Sequence, residues 1–415
     1  MRGFHQHRIV SVTAGSAAPR LFAVSDIHTD KDENMTWLEG ISTGKYQADT
    51  VIVAGDISHN LEVIEKTLLA LAARFNEVFY TPGNHDLWCS GDGCLDSIHK
   101  LQQLLALCAR IGVHTGPTRV EPREGGVAYW VVPVLSWHHS SFDTERDLDL
   151  EVLPSPPVPI SRAVMDFRAC EWPKGLDPTG DEVAVYMDEL NDTVRASVGS
   201  EEVSGERLWE LIAQSQEPVI SFSHFLPRLE LCPEKRFLMY SLLPKVVGSD
   251  PLRRRVEALQ PSVHVFGHTH FGWDQELDGI RYIQAAVGYP FEREQRLRSL
   301  AVGGSPEKLL QVFDSGNGGH FCPQMSATWS DYYKKNPRDP ENMELAWWVK
   351  KRHRAQAAWQ CLDGPVRARQ GPPNLEIGLE NLEIRWARQG PGGLAVPRRA
   401  RQGPPNLEID PAGPV

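Results

Sequence analysis

Short apolar runs rich in valine, isoleucine and phenylalanine recur along the first two thirds of the chain. Such runs, when polar or glycine-containing segments bound them, predict buried strands. The pattern places strands at 21–25, 50–54, 77–81, 127–135, 219–223, 263–266 and 280–285. Between the strands, apolar residues at three- and four-residue steps predict helices that would cover the faces of a sheet. We expect these helices at 60–75, 95–111, 205–214 and 251–259.

Five of the seven predicted strands end directly in a polar cluster. Ligand sites in open α/β architectures lie at the carboxyl edge of the sheet, so we expect these clusters to meet there. Glycines precede several of the polar residues and would let the backbone turn tightly as each strand ends. The clusters are Asp26-Ile27-His28, Gly55-Asp56, Gly83-Asn84-His85-Asp86, His224 and Gly267-His268-Thr269-His270.

The side chains of these clusters have the donor chemistry of a metal site. Carboxylate, amide and imidazole groups together suit Zn, Mn, Fe or Mg rather than a calcium cage or a thiolate site. Seven such groups are too many for one ion, whereas two divalent ions that share a carboxylate would use all of them and keep positions open for water and substrate. The seven are Asp26, His28, Asp56, Asn84, His224, His268 and His270.

Composition and charge exclude several classes of protein. The chain has no unbroken apolar stretch of membrane-spanning length, and a net charge of −11 argues against a general nucleic-acid binder, so neither a membrane nor nucleic acid is an expected partner. Its seven cysteines lack paired CxxC spacing, which indicates a reducing compartment. We therefore expect a cytoplasmic protein, with organellar targeting by an N-terminal extension at 1–20 as the alternative.

The chain divides into a catalytic portion at 21–317 and less regular segments around it. Residues 138–217 lose the strand pattern and become acidic and proline-rich, which predicts an inserted cap or lid. At its junction, His138 and His139 could contact phosphate or form a polar loop. A partly helical extension is expected at 318–360. The tail at 361–415 twice contains RARQGPPNLEI and is expected to be disordered, because such repeats cannot bury enough apolar surface.

In their order and completeness, the five polar clusters resemble the signature of the calcineurin-like metallophosphoesterase superfamily, over about 21–288. The resemblance implies an α/β (α+β) fold, a four-layer β-sandwich of two mixed sheets flanked by helices. Periodicity alone leaves a doubly wound sheet equally possible.

The resemblance also implies a role for each candidate residue. Asp26, His28 and His270 would hold one metal, and Asn84, His224 and His268 the other, with Asp56 bridging the two. His85 would be a catalytic residue outside the coordination sphere, and Asp86 could orient its ring. His85 would then protonate the leaving oxygen.

The activity implied is hydrolysis of a phosphate ester by metal-activated water, which makes the chain a metal-dependent phosphoric ester hydrolase. The expected substrate is a small phosphomonoester or phosphodiester. A nuclease or nucleotide phosphodiesterase is one alternative, and a catalytically silent scaffold is another. The segment Gly55–Asn60 departs from the protein-phosphatase pattern, and His59 replaces the tyrosine ligand of purple acid phosphatases.

Overall fold

The computed structural model describes residues 12–13, 18–89, 93–122, 125–153, 156–194, 196–198, 201–203, 205–295, 309–351 and 353. The strands in this part of the chain are β1 (Val12–Thr13), β2 (Arg20–Val24), β3 (Thr50–Ala54), β4 (Glu77–Thr81), β5 (Thr118–Glu121), β6 (Tyr129–Pro133), β7 (Ala196–Val198), β8 (Glu201–Val203), β9 (Val219–Phe222), β10 (Val263–Phe266), β11 (Trp273–Leu277), β12 (Ile280–Gln284), β13 (Leu310–Asp314) and β14 (His320–Phe321).

The helices of the described residues lie mainly between these strands. They are α1 (Asp32–Glu39), α2 (Leu61–Ala72), α3 (Ser97–Ile111), α4 (Ile160–Ala163), α5 (Asp166–Ala169), α6 (Glu182–Leu190), α7 (Gly205–Ala213), α8 (Asp250–Leu259), α9 (Pro290–Gln295) and α10 (Thr328–Tyr333). Short 3-10 turns occur at His85–Leu87, Ser140–Phe142, Asn191–Thr193, Leu229–Leu231, Lys235–Phe237 and Leu243–Val246.

Local sequence explains where the helices α2 and α3 begin and where α3 ends. The side chain of Asn60 accepts hydrogen bonds from the backbone N–H groups of Glu62 and Val63 and so caps α2. Asp96 caps α3 in the same way, and α3 ends at Gly112, whose φ of 77° is in the left-handed region. An N-cap of this kind stabilises a helix by about 1 kcal/mol.

The strands form two mixed sheets and a separate hairpin of β7 and β8. One sheet has seven strands in the order β1-β5-β6-β9-β10-β12-β11, and the other has five in the order β14-β13-β2-β3-β4. The strands β2, β3 and β4 are parallel neighbours, as are β6, β9, β10 and β12. Parallel pairing brings the carboxyl ends of these strands to one edge of each sheet.

One apolar core lies between the two sheets, and a second core lies under the helices. In β2, Leu21 and Ala23 belong to the first core, while Phe22 and Val24 belong to the second. This alternation places helices on the outer faces and sheet against sheet inside. The four-layer sandwich expected from the family resemblance is confirmed, and the doubly wound alternative is wrong.

All seven strands predicted from the apolar runs are present, although the run at 127–135 contributes only Tyr129–Pro133. The four predicted helices are present as well. The five-stranded sheet extends to β14, beyond the expected domain boundary at 317, because β14 pairs with β13.

The insert at 138–217 packs into the same core as the catalytic portion. Phe142, Val164 and Met187 are buried in the helix-covered core, and α6 lies against α8. Residues 326–349 also dock on the body, where Trp329 and Val349 are buried. The whole tail predicted to be disordered, 361–415, and most of the N-terminal extension lie outside the described residues. No helix of the described residues is long and apolar enough to cross a bilayer.

Candidate active site

The predicted polar clusters from both sheets meet at the carboxyl ends of their strands. The clusters after β2, β3 and β4 come from the five-stranded sheet, and those after β9 and β10 come from the seven-stranded sheet. Backbone hydrogen bonds join the loops, from Asp26 N–H to Gly55 O and from Gly267 N–H to His224 O. All nine candidate residues are buried, with His85 the most exposed at 7%.

One group of candidate ligands converges on a single point. The Nε2 atom of His224 lies 2.9 Å from Asn84 Oδ1 and 3.2 Å from His268 Nδ1. The same nitrogen lies 3.4 Å from Asp56 Oδ2. We call these four residues the Asn84 cluster.

Hydrogen bonds outside the Asn84 cluster fix the tautomers of its histidines. His224 donates from Nδ1 to the carbonyl of Ala54, and His268 donates from Nε2 to the carbonyl of Val246. Burial lowers the pKa of both rings, so they are neutral. The nitrogens that face each other therefore carry lone pairs and no proton.

A second group, the Asp26 cluster, contains Asp26, His28 and His270. The two histidine Nε2 atoms lie 3.2 Å apart, and His270 Nε2 lies 3.4 Å from Asp26 Oδ1. His270 contacts the Glu292 carboxylate through Nδ1, at 2.7 Å. Burial alone would lower the pKa of His270, but Glu292 and Asp26 raise it well above the ordinary value.

Asp56 connects the other members of the Asn84 cluster to the loop that bears His85. Its Oδ1 accepts the backbone N–H of His85 at 3.0 Å, and Oδ2 faces His224. Burial, followed by repulsion from Asp86 and Asp26, raises the pKa of Asp56 well above its ordinary value. A cation beside this carboxylate would offset both effects.

The residues present fit a pair of divalent cations. In the Asn84 cluster the facing atoms of Asn84, His224 and His268 lie 2.9–3.2 Å from one another with no proton between them, and Asp56 Oδ2 lies 3.4 Å from His224 Nε2. Such a set repels itself unless a cation lies between its members. The Asp26 cluster offers a carboxylate and two imidazoles at similar spacing.

The backbone of the site is strained at five candidate ligands. Each has a positive φ, a conformation that costs a non-glycine residue about 1–3 kcal/mol and that concentrates at functional sites. The five are Asp26 (51°), His28 (45°), Asp56 (55°), His268 (76°) and His270 (54°).

The two residues predicted to be catalytic occupy different environments. The ring of His85 stacks on Trp88, with centroids 3.8 Å apart, and its Nε2 lies 3.8 Å from Asp56 Oδ2. Asp86 instead accepts backbone N–H groups of Asp56, Ile57, Ser58 and Gly83, at 2.8–3.0 Å. These four bonds make Asp86 a clamp for two loops rather than a group dedicated to the His85 ring.

Two carboxylates of the site were missed in the sequence. Asp166 of the insert accepts hydrogen bonds from the side chains of Asn84 and Trp88, and Glu292 of α9 contacts His270. Burial alone would raise the pKa of Asp166, but its contact with His138 lowers it. His138 is thus buried beside Asp166, while His139 caps the turn Ser140–Phe142. The one usable sequence signal was the position of Glu292 shortly after the last predicted strand, 280–285.

We expect Gly83→Ala to disrupt the site, because a Cβ there would lie 2.1 Å from Asp56 Oδ1 and 2.8 Å from His224 Cε1. Displacing a reactive group by about 1 Å can cost 10²-fold in rate. The metal content from elemental analysis and the rate of bis(p-nitrophenyl) phosphate hydrolysis should both fall below the wild-type values. Gly44→Ala is the matched control, since nothing lies within 4 Å of its Cβ position. Equal metal content in the two variants would contradict the packing argument.

Comparison with known proteins gives matches to one superfamily. Residues 19–146 match the family model of the calcineurin-like phosphoesterases. The acyl-carrier-protein phosphodiesterase PptH of Mycobacterium tuberculosis is 26% identical over 284 residues, which is 68% of this chain and 81% of that protein.

Solved structures agree with this match. The crystal structure of the phosphopantetheinyl hydrolase PptH from Mycobacterium tuberculosis superposes with a TM-score of 0.52 at 23% identity, covering 72% of this chain and 96% of that one. A putative 5'-nucleotidase from Staphylococcus aureus has a TM-score of 0.31 at 8% identity, covering 82% and 58% of the two chains, which is too low to support an argument. The chain thus contains a calcineurin-like phosphoesterase domain, matched at residues 19–146, and is a metal-dependent phosphoric ester hydrolase.

Proposed function

We propose that the chain is a phosphodiesterase that removes phosphopantetheine from a carrier protein, with a pair of divalent ions at the two clusters. The observation that carries the proposal is the convergence of lone-pair donors on the Asn84 cluster, next to the Asp26 cluster. The similarity to PptH, an acyl-carrier-protein phosphodiesterase, supports the substrate class.

In this proposal Asp26, His28 and His270 would hold one ion, Asn84, His224 and His268 would hold the other, and Asp56 would be shared. Two bound divalent ions would supply an activated water and charge stabilisation at the phosphoryl group. The remaining roles belong to groups of the protein. The Glu292 carboxylate fixes the orientation of His270, and the backbone carbonyls of Ala54 and Val246 fix those of His224 and His268.

His85 is suited to the requirement that a phosphodiester imposes. Both ester oxygens of a serine-linked phosphopantetheine are alkyl oxygens, which leave slowly unless they are protonated. His85 is the most exposed of the candidate residues, and its ring is held between Trp88 and His28. We assign His85 as the group that delivers this proton.

The test is turnover of a phosphopantetheinylated acyl carrier protein by manganese-loaded enzyme, followed by intact-mass spectrometry. We expect the unmodified carrier protein and free phosphopantetheine as products. Carrier protein that retains a phosphate would show cleavage of the other ester bond.

Two small esters distinguish the alternatives. Hydrolysis of p-nitrophenyl phosphate or of free phosphopantetheine, without action on the carrier protein, would contradict the proposal in favour of a small phosphomonoester. A protein that binds two metals and hydrolyses no ester would be a scaffold.

A further inference from the structure

We infer that Asp166, which comes from the insert, is a positioning residue for both the Asn84 cluster and His85. Its side chain is 3% exposed. One oxygen, Oδ1, accepts the Asn84 amide Nδ2–H at 2.9 Å and the Trp88 indole Nε1–H at 2.7 Å. The inference rests on the metal site of the proposed function and not on its substrate.

The first of these bonds decides which end of the Asn84 amide faces the cluster. A carboxylate only accepts hydrogen bonds, so the NH₂ end of the amide must point towards Asp166. The amide oxygen then points the other way, 2.9 Å from His224 Nε2 and 3.1 Å from His268 Nδ1. An uncharged amide at position 166 could turn its own NH₂ end towards Asn84. Asn84 would then flip and present an N–H donor to the cluster, where it could not bind a cation.

The second bond fixes the surface on which His85 rests. The Trp88 indole can rotate about its side-chain bonds, and its N–H contact with Asp166 holds one orientation. In that orientation its ring stacks on His85 at 3.8 Å with an interplanar angle of 29°. Asp166 Oδ1 thus orients Asn84, a candidate metal ligand, and Trp88, the ring on which the candidate acid His85 rests.

The other oxygen of Asp166 connects this arrangement to the rest of the insert. Oδ2 lies 3.3 Å from Nε2 of His138, in a pair whose side chains are both 3% exposed. His138 packs on Phe225, and the Phe225 ring lies 4.7 Å from that of His268. The insert, predicted as a cap or lid, therefore also supplies a side chain that orients a candidate metal ligand.

The test is manganese binding by the metal-free protein, measured by calorimetry and by the electron paramagnetic resonance signal of unbound Mn²⁺. We expect Asp166→Asn to weaken binding at one of two sites by about 10–100-fold, the usual effect of losing an outer-shell partner. Asp177→Ala is the matched control, because Asp177 is an exposed residue of the same insert that contacts Thr179. It should bind manganese as the wild type does.

Asp166→Asn keeps the size of the side chain, so it serves even where Asp166→Ala fails to fold. Trp88→Phe should retain both affinities but slow hydrolysis of an alkyl ester more than that of a nitrophenyl ester. Wild-type manganese affinity in Asp166→Asn, with a lower melting temperature of the metal-free protein, would overturn the inference and leave Asp166 a structural group. Because metal binding is the readout, this outcome is separate from failure on the carrier-protein substrate.

Discussion

His85→Asn should keep both metals and slow hydrolysis of an alkyl phosphodiester by about 10²–10⁴-fold, the range typical of a lost general acid. The ring is stacked on Trp88, and His85, although buried, is the most exposed of the candidate residues. The loss should be modest for bis(p-nitrophenyl) phosphate, because nitrophenolate leaves readily as an anion.

Steady-state rates on both esters, together with elemental analysis, decide the role of His85. The histidine also lies near His28 and Asp56 in a spacing that could hold a metal. Loss of one metal from His85→Asn would therefore make His85 a ligand. Equal slowing of both esters, with metals retained, would assign it to phosphate binding.

His114→Asn is the matched control for His85→Asn. His114 pairs with Glu77 at 2.6 Å, at the amino end of β4 and away from the clusters. We expect its rates on both esters to equal those of the wild type. A similar rate loss in His114→Asn would point to general destabilisation.

Asp56→Asn should abolish measurable turnover and lose most of the bound metal. A carboxylate that contacts two cations has no neutral replacement, because an amide offers one oxygen and a pair of N–H donors. Asp56 is also the acceptor for the backbone N–H of His85, so the same change would disturb the catalytic loop. Elemental analysis after purification in manganese gives the metal content.

Asp49→Asn provides the comparison for this variant. Asp49 is a buried carboxylate just before β3 that pairs with Arg20 at 2.5 Å. We expect it to reduce thermal stability while two metals stay bound. Two tightly held metals in Asp56→Asn would show that Asp56 does not bridge.

The strand ends were predictable from the sequence because their signals are local. A run such as 263–266 followed by Gly267 and His268 combines a buried strand with a polar turn, and both features are visible without a structure. The pairing of the strands into two sheets was not visible, because period and composition do not identify the neighbour of a strand. The family resemblance, rather than periodicity, distinguished the sandwich from a doubly wound sheet.

The supporting groups of the site could not be predicted for a different reason. Asp166 lies in a four-residue helix within a segment that lacks periodicity, and Asn84 is 82 residues away in the chain. Contacts of such separation depend on tertiary packing, and a lone aspartate carries no signal of its partner. The role of Asp86 was equally hidden, since its four hydrogen bonds are to backbone groups.

Anomalous X-ray scattering from crystals of the manganese-loaded protein tests the two-ion site most directly. The account predicts two peaks, one beside Asp26, His28 and His270 and one beside Asn84, His224 and His268, with Asp56 in contact with both. A single peak, or two peaks that both lie away from Asp56, would contradict it.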